Sequence, residues 1–356
     1  MSISKIRAAV VGVGVGWNHV EGYQSHPDVE IVGICDMNPQ ILKERGDRFN
    51  IPLDRRFDNF DDMITKTKID VISIALPNFL HEPVATKCLE RGIHVLCEKP
   101  LSTDVASATR IAEAAEKANR TLMVCYNHRY RPEIMWLKDQ LRTGDFGRIY
   151  AAKAGWMREG FIPAHGAWFT QKAKAGGGAL IDLGVHVLDL ALWLMGYPKP
   201  VSVSGSMFAE FGMRGQKTVP RNANLPTFDV EDSGMGFVRF EGGAVLQFES
   251  SWASHREPKA DGFFVRLFGS EAGANFYTAE PNGETVAIYK YVSDQPSAIV
   301  PKLPTTTNGH RIAVHHFVDC VKNSKTPDSP AEHGIVGLKI IEGIYRSSKT
   351  GHEVEV

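Results

Sequence analysis

The run Gly12-Val13-Gly14-Val15-Gly16-Trp17 restricts this chain more than any other segment, because it closes a short apolar stretch (residues 7–11) and opens a helical pattern. Glycines there permit a tight turn and bring backbone N–H groups and a helix N-terminus close to an anion, the arrangement that holds a pyrophosphate. The spacing departs from G-x-G-x-x-G. A third glycine would fall at position 17, which is Trp, and Gly16 arrives one residue early, so the close helix-to-strand contact is expected to be made differently. A glycine-rich turn without a ligand is the competing reading. Asp36 ends the next apolar run, 20 residues after Gly16. An acidic side chain there accepts hydrogen bonds from both ribose hydroxyls and repels a 2′-phosphate, which favours NAD over NADP. Capping of a helix beginning at Pro39 is a second, compatible role for it.

Around that turn, β-branched runs (7–11, 30–35, 71–75, 94–97, 121–125) alternate with helical patterns (39–49, 57–65, 81–91, 104–119). The alternation predicts βαβ units and a parallel sheet, hence a Rossmann dinucleotide-binding domain. After about residue 150 the rhythm changes. Strand-like runs follow at 150–157, 201–211, 236–240, 244–252, 262–268 and 286–291, with a hairpin signal at Glu241-Gly242-Gly243. One long helix over 178–194 and two late ones over 312–323 and 331–348 accompany them. The expected fold class is α/β followed by α+β, with domains at 1–127 and 128–356, as suits 356 residues at about 100–200 per domain. Residues 212–226 form the long stretch of loop composition, expected to be mobile or at an interface.

Forty basic against 41 acidic residues leave a formal charge of −1, so no bulk attraction to nucleic acid or to an anionic membrane is expected. Five cysteines form no C-x-x-C pair, are odd in number and mostly lie in apolar runs; neither a structural disulfide nor a zinc site is expected, and a reducing cytoplasm suits them. The apolar start at residues 8–15 is too short and glycine-rich for an export signal. The apolar stretch 180–195 is interrupted by Asp182, His186 and Asp189, whereas a membrane span needs about 20 nearly uncharged residues.

Two constellations suggest chemistry. Lys99 follows the fourth strand, at the carboxyl end where open parallel sheets bind ligands, and a cation there can hydrogen-bond a reacting oxygen and favour an alkoxide. A solvated Glu98-Lys99 pair is the ordinary alternative. Asp182 and His186 lie four residues apart on the helix after Gly176-Gly177-Gly178, with Asp189 continuing the line on an otherwise apolar helix. A histidine beside a carboxylate is a good general base near neutral pH. Metal binding and a satisfied core histidine compete with that reading, but no further ligand with helical spacing stands beyond Asp189.

Leu76-Pro77-Asn78-Phe79-Leu80-His81, Glu98-Lys99-Pro100 within residues 92–101, and Asp182 with His186 together resemble the glucose–fructose oxidoreductase, inositol dehydrogenase and rhizopine catabolism (Gfo/Idh/MocA) family. The resemblance runs over essentially the whole chain, including residues 331–351, and Glu98-Lys99-Pro100 is its most specific short signature. It implies a C-terminal open-faced antiparallel β-sheet domain for substrate binding and oligomerisation. It further implies Lys99, Asp182 and His186 as the catalytic group, working without a metal. NAD contacts are implied for Gly12, Val13, Gly14, Gly16, Trp17, Asp36, Met37, Leu76, Asn78, His81, Glu98, Lys99, Asn127 and Trp168. Substrate contacts are implied for Lys99, Tyr126, Arg158, His165, Asp182 and His186. Aromatic faces with polar neighbours suit polyhydroxylated rings.

The resulting expectation is an NAD-dependent dehydrogenase of a secondary hydroxyl on a sugar, glycoside, anhydrosugar or inositol. An exposed sheet face needs covering, so a homodimer or homotetramer is expected. Two rivals are an NAD-using glycosidase of the same fold, in which redox is transient, and a non-catalytic sensor of dinucleotide and sugar.

Overall fold

The computed structural model describes residues 5–216, 228–255, 262–278, 285–304 and 308–356. In chain order the first elements are β1 (Ile6–Val11), α1 (Trp17–Ser25), β2 (Val29–Cys35), α2 (Pro39–Arg48), β3 (Arg56–Phe57), α3 (Phe60–Lys66), β4 (Val71–Ile74), α4 (His81–Glu90), β5 (His94–Glu98), α5 (Val105–Ala118) and β6 (Leu122–Cys125). There follow α6 (Pro132–Arg142), β7 (Ile149–Met157), α7 (Lys172–Ala175), a π-helical turn (Leu180–Gly184), α8 (Val185–Leu194), β8 (Pro200–Phe208), β9 (Ser233–Phe240), β10 (Val245–Ser251), β11 (Gly262–Gly269), β12 (Ala272–Tyr277), β13 (Val286–Val292) and β14 (Gln295–Ile299). The chain ends in α9 (Gly309–Asn323), α10 (Ala331–Thr350) and β15 (Val354–Glu355).

These elements form two compact units. The first comprises residues 5–130 and 308–335, so a segment that a single boundary at 127/128 assigns to the second domain packs with the first. The reason is local: α9 lies against α1, and Ser329 Oγ donates to the Val124 carbonyl at the end of β6. Six parallel strands run in the order β3-β2-β1-β4-β5-β6. The order reverses between β1 and β4, and such a switch point is where open α/β sheets bind ligands, at the carboxyl ends of the strands. β4 and β6 are buried at every position and β5 at all but His94, as expected for strands covered on both faces. Helix ends follow their caps. Asn38, Asn59 and Asp104 accept N-terminal N–H groups of α2, α3 and α5. The helical pattern read over 57–65 begins instead at Phe60, because Phe57 pairs with Cys35 in β3.

The second unit, residues 131–304 and 336–356 as described, is a nine-stranded sheet in the order β14-β13-β12-β11-β7-β10-β9-β8-β15. It is mixed rather than wholly antiparallel: β10 runs parallel to β7, from Val245 opposite Ala151 to Ser251 opposite Met157, while the other pairings are antiparallel. The chain leaves β7, forms the α7–α8 segment and returns through the β8–β9–β10 meander, and only such a long crossover can bring a strand back in the same direction. Glu241-Gly242-Gly243 makes the turn between β9 and β10, with φ of 77° at Gly242 and 80° at Gly243. Of the loop expected at 212–226, Gly212–Arg214 form a single 3₁₀ turn, and 217–226 lie outside the described residues. Helix α6 and strands β12 and β14 are additions to the elements read from sequence; β12 carries a Gly-Ala-Asn sequence and β14 is exposed, so neither strand has a strong apolar period.

One helical stretch, Lys172–Leu194, is long and apolar enough to resemble a membrane span, yet its apolar part is almost wholly buried inside the fold. It is the core helix of this unit. The sheet alternates across its thickness: Gly234, Gly236, Val238 and Phe240 of β9 are buried, while Met235 and Phe237 are exposed on the opposite face together with Phe208 of β8.

Candidate functional site

In the first unit the glycine run does three different things. Gly12 sits at φ 81°, a conformation open to glycine, and a Cβ there would overlap the Ala75 carbonyl after β4. Gly14 has no atom within 4 Å of where its Cβ would be, leaving backbone exposed for a ligand to approach. Gly16 precedes α1, and a Cβ on it would lie 3.0 Å from Val10 Cγ1 and 3.1 Å from Ala75 Cβ. The close helix-to-strand contact is thus made one residue early, which frees position 17 for Trp, whose ring is covered by the Arg48 guanidinium at 4.5 Å. Val13 N–H donates to Asp36 Oδ2 at 2.9 Å and Asn38 N–H to Oδ1 at 2.9 Å. Capping of α2 falls to Asn38, not to Asp36. Met37, beside it, is 86% exposed. A turn with open backbone, a helix N-terminus and a carboxylate at the end of β2 fits the diphosphate and ribose of a dinucleotide.

The β4–α4 and β5–α5 connections are locked together by His81, which is buried, with Nδ1 2.9 Å from the Pro100 carbonyl and Nε2 2.8 Å from the Leu76 carbonyl. Burial lowers its pKa, against the raising effect of those carbonyls, so it acts as a strut between Leu76 and the Lys99-Pro100 segment. The Lys99–Pro100 peptide is cis. Asn78 is buried and Lys99 half-buried. The Glu98 side chain turns inward: it accepts from Lys99 N–H at 3.2 Å and meets His19 at 2.8 Å and His310 at 3.4 Å. Burial pushes its carboxyl up, and the two histidines overcome that and hold it well below its ordinary range. Tyr126 is buried with the Arg129 guanidinium 5.2 Å over its ring, and Arg129 in turn bonds the Asp328 carbonyl and lies 3.2 Å from His333 Nδ1. The Asn127 carbonyl abuts Gly309.

In the second unit, Gly176 ends α7 at φ 87° and the chain enters a π turn before α8. Glu231 organises that entry. Gly178 N–H donates to its Oε2 at 2.9 Å, Leu180 N–H to its Oε1 at 3.0 Å, and Ala179 N–H to its backbone oxygen at 3.2 Å. The Tyr345 hydroxyl adds a bond to Oε1 at 2.9 Å. Three orphan donors at the start of the helix are thereby satisfied. Gly177 and Gly178 are required by this arrangement, because Cβ atoms there would overlap the Tyr345 hydroxyl and the Glu231 carbonyl. Asp182 lies within the π turn, an irregularity common at functional sites. The indole N–H of the buried Trp252 donates to Asp182 Oδ2 at 2.9 Å. His186 is buried on α8 with the Trp156 ring at 5.9 Å. Asp189, the third member of the polar line, accepts from the Tyr197 hydroxyl at 2.5 Å and belongs to the helix's own anchoring.

Near that helix, Arg158 stacks over Trp156 at 4.9 Å, and Trp168 is stacked with Phe169 at 3.7 Å. His165 Nε2 lies 2.9 Å from the Gly212 carbonyl, its ring against Phe228. Sequence reasoning missed Trp252, Glu231 and His310. Trp252 follows a strand and Glu231 an irregular stretch, so neither carries a spacing that announces its partner.

Residues 6–126 match the family model of the Gfo/Idh/MocA oxidoreductases, NAD-binding Rossmann fold, and residues 138–356 match the model of that family's C-terminal alpha/beta domain. The chain is 29% identical over 361 residues to the D-glucoside 3-dehydrogenase of Escherichia coli (strain K12), covering 100% of this chain and 99% of that protein. It is 29% identical over 236 residues to the levoglucosan dehydrogenase of Pseudarthrobacter phenanthrenivorans, covering 62% of this chain and 59% of that one. A solved levoglucosan dehydrogenase, in complex with NADH and levoglucosan, shares the fold with a TM-score of 0.86 at 22% identity, over 99% of this chain and 100% of the other.

Proposed function

This chain belongs to the Gfo/Idh/MocA family of NAD-binding oxidoreductases, and from that premise we propose that it oxidises a secondary hydroxyl of a sugar, glycoside, anhydrosugar or inositol. The observation that carries the reading is the placement of Asp182. A carboxylate stands in a π turn of an otherwise apolar core helix, fixed at Oδ2 by an indole N–H, four residues before a buried histidine. Asp182 is half-buried and His186 buried, and polar groups on an otherwise apolar helix are costly to desolvate, so their presence there is an indication of a functional site.

His186 takes the hydroxyl proton at a ring nitrogen, and Asp182 stabilises the imidazolium that forms. The Lys99 ammonium hydrogen-bonds the same substrate oxygen and favours its alkoxide. NAD, when bound, would supply the acceptor for the hydride of the carbinol C–H, so that the net products would be a ketone, NADH and a proton. Gly12, Val13, Gly14, Gly16 and Asp36 would hold the dinucleotide. Arg158, His165 and Trp168 would contact the sugar or its reacting partner. Side chains supply both the proton acceptor and the cation at the reacting oxygen, so this chemistry is complete at Lys99, Asp182 and His186 without a metal ion.

The experiment is a screen of NADH formation, by its near-ultraviolet absorbance, across glucosides, anhydrosugars, aldoses and inositols. Net NADH with at least one class is expected. Hydrolysis without net NADH would instead indicate transient redox, and dinucleotide binding without turnover on any class would contradict an enzyme of this kind. We further propose a homodimer or homotetramer formed through the exposed apolar face carrying Phe208, Met235 and Phe237. The five cysteines, all buried and free, suit a reducing, cytoplasmic setting.

A further inference from the structure

Four side chains from four segments of the first unit converge: His19 of α1, Glu98 at the end of β5, Cys125 at the end of β6 and His310 of α9. One donor atom from each lies within 4.8 Å of all the others, and His19, Glu98 and Cys125 are buried. His19 has its orientation fixed. Nδ1 lies 3.0 Å from the Ser73 hydroxyl, which is itself 2.9 Å from Tyr23 Oη. The other ring nitrogen, Nε2, lies 2.8 Å from Glu98 Oε1. A second imidazole at 3.4 Å and a thiol stand around the same oxygen, so that small outward shifts of these side chains would admit a metal ion among the four donors.

We propose that His19, Glu98, Cys125 and His310 form a binding site for a late first-row divalent cation, zinc in the first place. Two imidazole nitrogens, one carboxylate oxygen and one sulfur are the donor types and number of a closed tetrahedral zinc site. Charge also balances. A dication with one carboxylate and one thiolate is neutral, so no net charge is buried, the Cys125 proton leaving to solvent as the metal binds. The Ser73 bond to His19 is the outer-sphere support that metal-ligating histidines regularly have. The ion would tie α1, α9 and the ends of two neighbouring strands together. The site shares no residue with Lys99, Asp182 and His186, and does not depend on the reaction proposed above. Cysteine spacing gave no hint of it, because spacing rules see ligands paired along the chain, whereas these are drawn from residues 19, 98, 125 and 310.

The test uses the full chain, stripped with a chelator and titrated with Zn(II) and, separately, Co(II). Expected are about one ion per chain by metal analysis after desalting, a rise in Tm with Zn(II), and a near-ultraviolet sulfur-to-Co(II) charge-transfer band. Cys125→Ser should abolish that band, and Ser73→Ala should weaken Zn(II) affinity about 10- to 100-fold. Failure to retain either metal, with Tm unmoved, would overturn the proposal and leave a proton between His19 and Glu98. A Co(II) band that survives Cys125→Ser overturns it as well, since the ion then sits elsewhere. Should Cys125→Ser fold poorly, His310→Ala, at the more exposed corner, gives the same decision through lost Zn(II) affinity.

Discussion

Asp36 commits one oxygen to Val13 N–H and the other to Asn38 N–H, so the end of β2 is fixed to the glycine turn. A carboxylate held rigidly there repels a second phosphate at short range. Turnover should favour NAD over NADP by at least about tenfold in kcat/KM, roughly 1.4 kcal/mol, with the gap narrowing in Asp36→Ser. Equal values for the two cofactors in the wild type would contradict the role given to this residue. Trp252 allows a second residue-scale test. Trp252→Phe keeps a large apolar ring but removes the donor to Asp182, and hydrogen bonds to charged groups contribute about 1.5–3 kcal/mol. If Asp182 supports the base, kcat falls by about tenfold or more while the KM for NAD stays put; an unchanged kcat would make the indole contact merely structural. Asp36 and the Lys99 triplet were legible because each sits at a fixed offset from a strand end. Trp252 was not, because its role exists only once β10 ends beside the π turn.

At the scale of elements, the entry into the core helix depends on Glu231. Burial raises its carboxyl pKa, against the lowering hydrogen bonds from Gly178 and Leu180. The folded state then holds this proton more tightly than the unfolded chain, whose ordinary value is 4.5. The stability this group contributes is present in full below that value and is lost as pH rises through the raised native one. Denaturation curves across that range should show wild type losing stability relative to Glu231→Gln as pH increases; parallel profiles would contradict the shift. Gly178→Ala places a Cβ onto the Glu231 carbonyl and should cost about 1–3 kcal/mol, read as a lower Tm. A Tm equal to wild type would mean the turn yields. The helix itself was readable from its apolar run and triple glycine. Its first turn was not, since a π turn leaves no compositional trace and the glutamate that caps it lies 53 positions away.

Over the whole molecule, alternating short strands and helices marked the first unit, and the β5–α5 triplet marked its family. The return of α9 to that unit was invisible, because an amphipathic helix does not say which core it joins. Likewise, strand runs after residue 150 foretold a sheet, but the parallel β7–β10 pairing depends on how long a crossover intervenes. The apolar face left open on that sheet is the basis for the expected oligomer: sedimentation should give a dimer or tetramer, and Phe237→Glu should shift it toward monomer with secondary structure intact. A monomeric wild type would contradict that expectation. The central claim, that His186 is the base for hydride loss from a sugar or cyclitol hydroxyl, is tested most directly by kcat of His186→Ala on the best substrate from the NADH screen. The account predicts a fall of about 10²–10⁴ with dinucleotide affinity nearly unchanged. A folded His186→Ala enzyme that keeps more than about a tenth of the wild-type kcat would contradict it.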